Sequence, residues 1–208
     1  MLPAAAAGLV AMHVRHGPWG RLQRTPSEAT FGRRPRRGSA GASLAPVSDL
    51  RIGLGVDAHA FEVGVPLVLG GVAIDHPRGL AGHSDGDVIA HALTDALLGA
   101  AGLADIGALF PSDDERYRGA DSLELLSEAY RQVREAGYEL VNADCVLIGQ
   151  EPRIAPHRVA MGERLAGALG VDAARVGVRA TTTDFLGFTG RGEGLAAQAV
   201  ALLERPSA

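Results

Sequence analysis

Between Asp87 and Ala101 the apolar residues Val88, Ile89, Ala92, Leu93, Ala96, Leu97 and Ala100 recur with the spacing of a helix. A helix this rich in Ala and Leu has to bury most of its circumference, so something broad and apolar must lie against it. Strand-period segments supply that surface. "LRIGLGVDA" (50–58) reads as a strand, and "PLVLGGVAID" (66–75) reads as two short strands turned at Gly70-Gly71. "LVNADCVLIG" (140–149), "RVGVRATTT" (175–183) and "GLAAQAVALL" (194–203) read as three more. A second helix is expected from Asp121 to about Ala136, capped by Asp121 with Glu124 three residues on and ended by Gly137. A third is expected from about Pro156 to Leu169, ended by Gly170. Strands interleaved with helices predict an α/β fold of the α+β sandwich kind: a single mixed β-sheet covered on one face by about three helices.

The order begins only at about residue 49. Residues 1–48 mix Arg, Pro, Ser, Gly and Ala without a sustained period and are expected to be a disordered N-terminal extension, leaving 49–208 as one domain. The extension holds seven Arg against one acid, Glu28, so the rest of the chain holds 13 Arg against 23 acids. That acidic body argues against a nucleic-acid binder. An Arg-rich, acid-poor leader fits organelle targeting, a nucleic-acid tail or a misassigned start codon. No apolar run approaches the roughly 18 residues a membrane crossing needs, and a cytoplasmic protein is expected, or a stromal one if the extension is a transit peptide. Cys145 is the single cysteine, which excludes an internal disulfide and a thiolate-rich zinc cluster. Any metal must use His and carboxylate ligands.

Four segments carry candidate chemistry. In "GLGVDAHAF" (53–61), alternation along a strand places Asp57 and His59 on one side, as two ligands of one ion require, although a strand-end Asp and His also cap turns. In "GHSDGDVIAHALTD" (82–95), Asp87, His91 and Asp95 stand four apart and form a polar stripe on an apolar helix, which puts His91 at a cleft or an interface. With Asp57 and His59 it completes three ligands for zinc with the fourth position open; a hydrogen-bonded interfacial histidine is the plainer alternative. His83 and Ser84 precede the helix, where unpaired amides favour an anion, and Ser84 is also a candidate cap with Asp87 closing the box. "ADIGALFPSDD" (104–114) and "IGQEPRIAP" (148–156) read as loops. "ATTTDFLGFTGRGEG" (180–194) ends a threonine run in an acid and a glycine-rich loop, suited to polyphosphate and an oxygen-liganded cation such as Mg²⁺.

Taken in order and spacing, "GLGVDAHAF", "LAGHSDGDVIAHALTDALLGAAGLADIGALFP", "GADS" and "ATTTDFLGFTGRGEG" resemble the 2-C-methyl-D-erythritol 2,4-cyclodiphosphate synthase family from about Leu50 to Leu203. The resemblance implies a homotrimer with active sites between subunits, each holding Zn²⁺ and a second divalent cation, Mg²⁺ or Mn²⁺. The implied substrate is a cytidine diphosphate, 4-diphosphocytidyl-2-C-methyl-D-erythritol 2-phosphate, cyclised with release of CMP. Asp57, His59 and His91 match the zinc ligands, and Asp184 the ligand of the second cation. His83 and Thr182 match positions assigned to transition-state stabilisation. His83 and Ser84 would hold the attacking phosphate, Asp105, Ile106 and Gly107 the erythritol hydroxyls, and Phe110, Pro111, Ser112, Asp113 and Asp114 the same pocket. Gly149, Gln150, Glu151, Pro152, Arg153, Ile154 and Ala155 would meet the cytidine together with Thr181, Thr182 and Thr183. Phe188 and Arg191 match substrate-binding positions, and Arg191 and Glu193, two apart after Phe188, match residues near the trimer axis, where the family resemblance suggests a cavity for isoprenoid diphosphates. Three positions depart from the family pattern: Asp184 stands where Glu is usual, and Arg153 and Arg179 where Lys is common. An Arg fork is not equivalent to a Lys point charge at a phosphate.

Overall fold

The computed structural model describes residues 49–206. Residues 1–48, including the expected extension, lie outside that span. In chain order the elements are β1 (Leu50–Val63), β2 (Leu67–Leu69), β3 (Val72–Ile74), β4 (Arg78–Leu80), α1 (Val88–Ala101), α2 (Ile106–Leu109), α3 (Ser122–Glu135), β5 (Glu139–Ile148), α4 (Arg158–Leu169), β6 (Val176–Thr181), α5 (Gly187–Gly190) and β7 (Gly194–Glu204). Single 3₁₀ turns at Glu115–Tyr117 and Ala173–Arg175 punctuate the connections.

The main sheet has five strands in the order β4-β1-β7-β5-β6. It is mixed, because β5 and β6 run parallel while β7 is antiparallel to both β1 and β5. The expected sandwich is present, with α1, α3 and α4 as its long helices. One difference concerns the hairpin. β2 and β3 pair only with each other, and Gly70 and Gly71, both at positive φ, turn them. Their amides instead face the start of α1: Gly70 N and Gly71 N donate to Asp87 Oδ1 and Oδ2 at 2.9 and 2.7 Å.

β1 sets the position of everything near the site. Its odd-numbered residues from Gly53 to His59 face α1, and two of them are glycines for a steric reason. A Cβ on Gly55 would sit 1.9 Å from the Ala92 carbonyl oxygen, and one on Gly53 would sit 1.9 Å from that of Ala96. Helix and strand therefore pack backbone to backbone, and the next residues on that side, Asp57 and His59, meet the first turns of α1. The core continues through Leu195, Ala197, Ala199, Ala201 and Leu203 of β7 and through Leu126, Tyr130 and Met161 of the covering helices. The small side chains of β7 let α1 lie close there too. Cys145 is buried in the same core, and burial pushes its thiol up to about 12, so it stays protonated and inert. No helix among the described residues is long and apolar enough to cross a membrane.

Candidate active site

The two ends of β1 and α1 that the glycines bring together carry three donor atoms converging on one point. Asp57 Oδ2 lies 2.9 Å from His59 Nε2 and 3.0 Å from His91 Nδ1, and the two ring nitrogens are 3.2 Å apart. A tetrahedral cation with bonds of about 2.0–2.1 Å sets its ligand atoms roughly 3.3 Å apart, so the triangle fits three corners of such a site. One carboxylate and two imidazoles also form a donor set suited to zinc. Among the described residues these three form the one group of acids and imidazoles close enough to share an ion. Burial alone would raise the Asp57 carboxyl, but hydrogen bonds and positive charge from His59 and His91 outweigh it and hold the group well below the usual carboxylate range. The bond to Asp57 in turn raises His59, against the opposing effect of its burial.

The helix start differs from the sequence reading. Asp87, not Ser84, is the N-cap of α1, and its side chain accepts from Ile89 N and Ala90 N as well as from the hairpin. Asp87 is completely buried, so it is no part of a solvent stripe; its burial pushes the carboxyl up while the amides of Gly71, Gly70 and Ala90 pull it down. Ser84 instead places its Oγ 3.0 Å from His91 Nε2. Asp95, one turn after His91, accepts from Ile106 N at 2.8 Å and so fixes the start of α2. The carboxylate cluster that periodicity suggests thus divides into a structural cap, Asp87, and a loop anchor, Asp95.

A cavity of about 220 Å³ opens over the triad. Of the residues singled out from the sequence, Asp57, His59, His83, Ser84, His91, Ile106, Gly107, Phe110 and Ser112 line it. His83 Nε2 is buried there without a hydrogen-bond partner among the described residues, a ring nitrogen free for a ligand. Asp105 is the N-cap of α2 and Asp114 caps the following 3₁₀ turn while pairing with Arg116, so their carboxylates are already engaged. Asp95, a member of the polar stripe, completes the wall with Tyr117 and Leu125, which the sequence does not single out. Asp95 was signalled by its spacing from His91, but the two apolar contacts had no motif.

A second cavity, about 270 Å³, forms where β5 and β6 end. Gly149, Gln150, Pro152, Arg153, Ile154, Ala155, Thr181 and Thr182 line it, together with Arg158, which the sequence reading passed over. Gln150 Nε2 is buried without a hydrogen-bond partner among the described residues. Glu151 and Thr183 are outside the lining: Glu151 pairs with Arg78 at 3.1 Å, and Thr183 Oγ1 donates to Leu186 O at 2.6 Å. Arg179 is taken up by Asp144 at 2.6 Å. Asp184 and Phe185 have left-handed backbones, and Thr182 Oγ1 donates to Asp184 Oδ1 at 3.4 Å. Phe188 is exposed on α5, and Arg191 beyond it pairs with Glu193. One chain therefore does not gather all the candidate residues; most are divided between two separate cavities, and the rest line neither.

Known proteins resemble this arrangement closely. The YgbB family pattern matches residues 50–204. The 2-C-methyl-D-erythritol 2,4-cyclodiphosphate synthase of Rubrobacter xylanophilus is 64% identical over 158 residues, 74% of this chain and 95% of that protein. The synthase of the same name from Moorella thermoacetica is 61% identical over 154 residues, 74% of this chain and 94% of its own. A solved 2C-methyl-D-erythritol-2,4-cyclodiphosphate synthase in a CDP-bound form superposes with a TM-score of 0.67 at 44% identity, covering 74% of this chain and 99% of that one. The match opens on the first residue of the strand that carries Asp57 and His59 and closes on the last residue of β7, and the chain belongs to the YgbB family of cyclodiphosphate synthases.

Proposed function

We propose that this protein converts 4-diphosphocytidyl-2-C-methyl-D-erythritol 2-phosphate to 2-C-methyl-D-erythritol 2,4-cyclodiphosphate and CMP, a cyclising phosphorus–oxygen lyase step in the non-mevalonate route to isoprenoid precursors. The observation that carries the reading is the convergence of Asp57 Oδ2, His59 Nε2 and His91 Nδ1 at the mouth of a cavity, in a chain 64% identical to a named synthase.

In this reaction an oxygen of the 2-phosphate attacks the β-phosphorus. The bond from that phosphorus to the bridging oxygen breaks, and CMP leaves with that oxygen. Both partners are anionic, so the obstacle is bringing like charges together in line. Asp57, His59 and His91 would hold Zn²⁺, and Asp184 would serve a second cation, Mg²⁺ or Mn²⁺. Such cations, when bound, neutralise and polarise phosphoryl oxygens. The chain's own groups do the rest. His83, whose Nε2 has no partner among the described residues, is placed to donate to a phosphoryl oxygen, and Ser84 stands beside it. Thr182 would do the same from the second cavity, where Gly149–Ala155 would receive the cytidine. Ile106, Gly107 and Phe110 would shape the erythritol end and exclude water.

The division of these residues between two cavities supports a homotrimer in which each active site takes one cavity from each of two neighbours. So does the opposite face of β1, where Leu50, Ile52, Leu54 and Val56 are all exposed, with Val200 of β7 beside Leu54. A soluble chain rarely leaves such a row to water. An isoprenoid diphosphate would bind near Arg191, on the axis of that trimer.

The decisive experiment follows phosphorus resonances with substrate, Zn²⁺ and Mg²⁺. Cyclic diphosphate with stoichiometric CMP supports the synthase. Linear phosphates would mark a zinc-dependent hydrolase instead, and tight nucleotide binding without turnover would mark a silent binding module.

A further inference from the structure

"GADS" (119–122) belongs to the family-like pattern, yet none of the roles above uses it. Its serine is buried at 1% exposure, at the first turn of α3 and directly behind the metal triad. Ser122 Oγ is 2.9 Å from His91 Nε2, the ring nitrogen on the far side from Asp57 and His59. The same oxygen donates to Asp85 Oδ1, and Ser122 N donates to Asp85 Oδ2 at 3.2 Å.

We propose that Ser122, backed by Asp85, is a positioning residue that fixes the tautomer and ring orientation of His91 and so prepares His91 Nδ1 for the metal. This inference rests on the reading of Asp57, His59 and His91 as metal ligands. An ionised carboxylate only accepts, and a serine hydroxyl has one proton to give. Asp85 takes that proton, along with the amides of Ser122 and Asp87. Ser122 Oγ then has only lone pairs left for His91, so His91 Nε2 must carry the hydrogen. A neutral imidazole protonated at Nε2 has its bare lone pair on Nδ1, the atom that faces Asp57 and His59.

Ser84 Oγ also stands 3.0 Å from His91 Nε2, but its proton is tied to no carboxylate, so by itself it accepts from or donates to the ring equally well. Asp85 is what removes the ambiguity, by way of Ser122. The loop that carries Asp85 is itself tied to the segment before α3, because Asp85 N donates to Ala120 O at 3.1 Å and Gly119 N donates to His83 O at 2.7 Å. The "GADS" stretch thereby holds the loop of His83 and the ring of His91 in one piece.

The test measures zinc affinity by chelator competition and the visible spectrum of the cobalt-loaded protein, on the full chain. Ser122→Ala leaves His91 with Ser84 alone. Asp85→Asn puts an amide NH₂ against either Ser122 N or Ser122 Oγ, and in the second case frees the serine proton to turn toward Nε2. Each variant is expected to weaken zinc binding by roughly 10- to 100-fold and to change the cobalt bands, with the metal-free protein still folded by circular dichroism. Wild-type zinc affinity and an unchanged cobalt spectrum in both variants would overturn the proposal. Should Ser122→Ala fail to fold, Asp85→Asn, which preserves side-chain volume, decides alone. The reading beneath it fails separately: a wild-type chain that holds no zinc, or a His91→Ala chain that holds it equally well, removes the metal site itself.

Discussion

The two faces of β1 are built from alternate residues of one strand and meet opposite fates. Gly53, Gly55, Asp57 and His59 turn toward α1, where there is no room for a Cβ at either glycine and where three polar groups are pressed to within 3.2 Å of one another. Leu50, Ile52, Leu54 and Val56 turn the other way and remain exposed within a single chain, Ile52 at 74%. The inward face shows that the geometry of the site is set by small residues that carry no chemistry. The outward face shows a strand dressed for burial that one chain does not bury, in keeping with the assembly proposed above.

Substitutions at the glycines should have the largest effect. In Gly55→Val the new Cβ meets a carbonyl oxygen of the helix backbone, which cannot rotate away as a side chain can. Overpacking costs about 1–3 kcal/mol where neighbours yield, and the loss here is expected to exceed about 3 kcal/mol. The denaturant midpoint reads it directly; a variant as stable as wild type would show that helix and strand are not packed as described. Next comes the chemistry of the same face. His91→Ala should lose more than roughly 100-fold in zinc affinity, since even second-shell changes cost 10–100-fold, with turnover falling alongside. Its fold should survive, because the site lies at the end of the core.

Removing the metal from the wild type should act on stability through mass action alone. With free zinc at about 100 times its dissociation constant, the bound ion stabilises by about 2.7 kcal/mol. Chelation should therefore lower the thermal midpoint of the wild type and leave that of His91→Ala unmoved. A midpoint that falls equally in both would place the ion elsewhere.

How far the sequence disclosed this contrast follows from where the deciding forces lie. Strand alternation in "GLGVDAHAF" and the helical period of 87–101 were enough to pair Asp57 and His59 with His91, because periodicity is local. The Gly70-Gly71 hairpin was legible for the same reason. Its isolation from the main sheet was not, because that depends on Gly70 N and Gly71 N reaching Asp87 across 16 or 17 residues. Asp87 itself looked like one member of a stripe, and Ser84 looked like the cap. Both fit the local pattern; only tertiary contact reveals which oxygen meets Ile89 N and Ala90 N. The three-residue β4 and the single turn α2 hold too few side chains to show a period. Arg158 faces the second cavity from the first turn of α4, a position with no signature of its own. The partition of candidate residues between two cavities is not legible, because the order of motifs along the chain does not fix which of them one fold brings together.

The outward face gives the subtler tests. Leu54→Asp places a carboxylate where the single chain leaves Leu54 63% exposed. Within one chain this is a surface change worth no more than about 0.5 kcal/mol. Buried between copies, an unpaired charge is far more costly. Sedimentation should therefore show a smaller particle with native circular dichroism, and an unchanged particle size would leave that face outside any interface.

The smallest expected effect is the sharpest discriminator. Val56→Thr keeps the shape of the side chain and replaces a methyl group with a hydroxyl. Val56 is 55% exposed in the single chain and pairs across the sheet with Gln198, itself exposed, so an isolated chain could solvate the new hydroxyl at almost no cost. Covered by a neighbour, the same hydroxyl loses water and costs about 1–3 kcal/mol unless it finds a partner. Gln198 is a partner within reach of the same cross-strand position, which should hold the loss near the lower end, at about 1 kcal/mol. The predicted signature is a dissociation constant between copies raised by roughly five- to tenfold, with no change in the stability of the separated chains. A stability loss that does not depend on protein concentration would mean that Val56 is buried by its own chain. No change in either quantity would mean that this end of the apolar row stays in water.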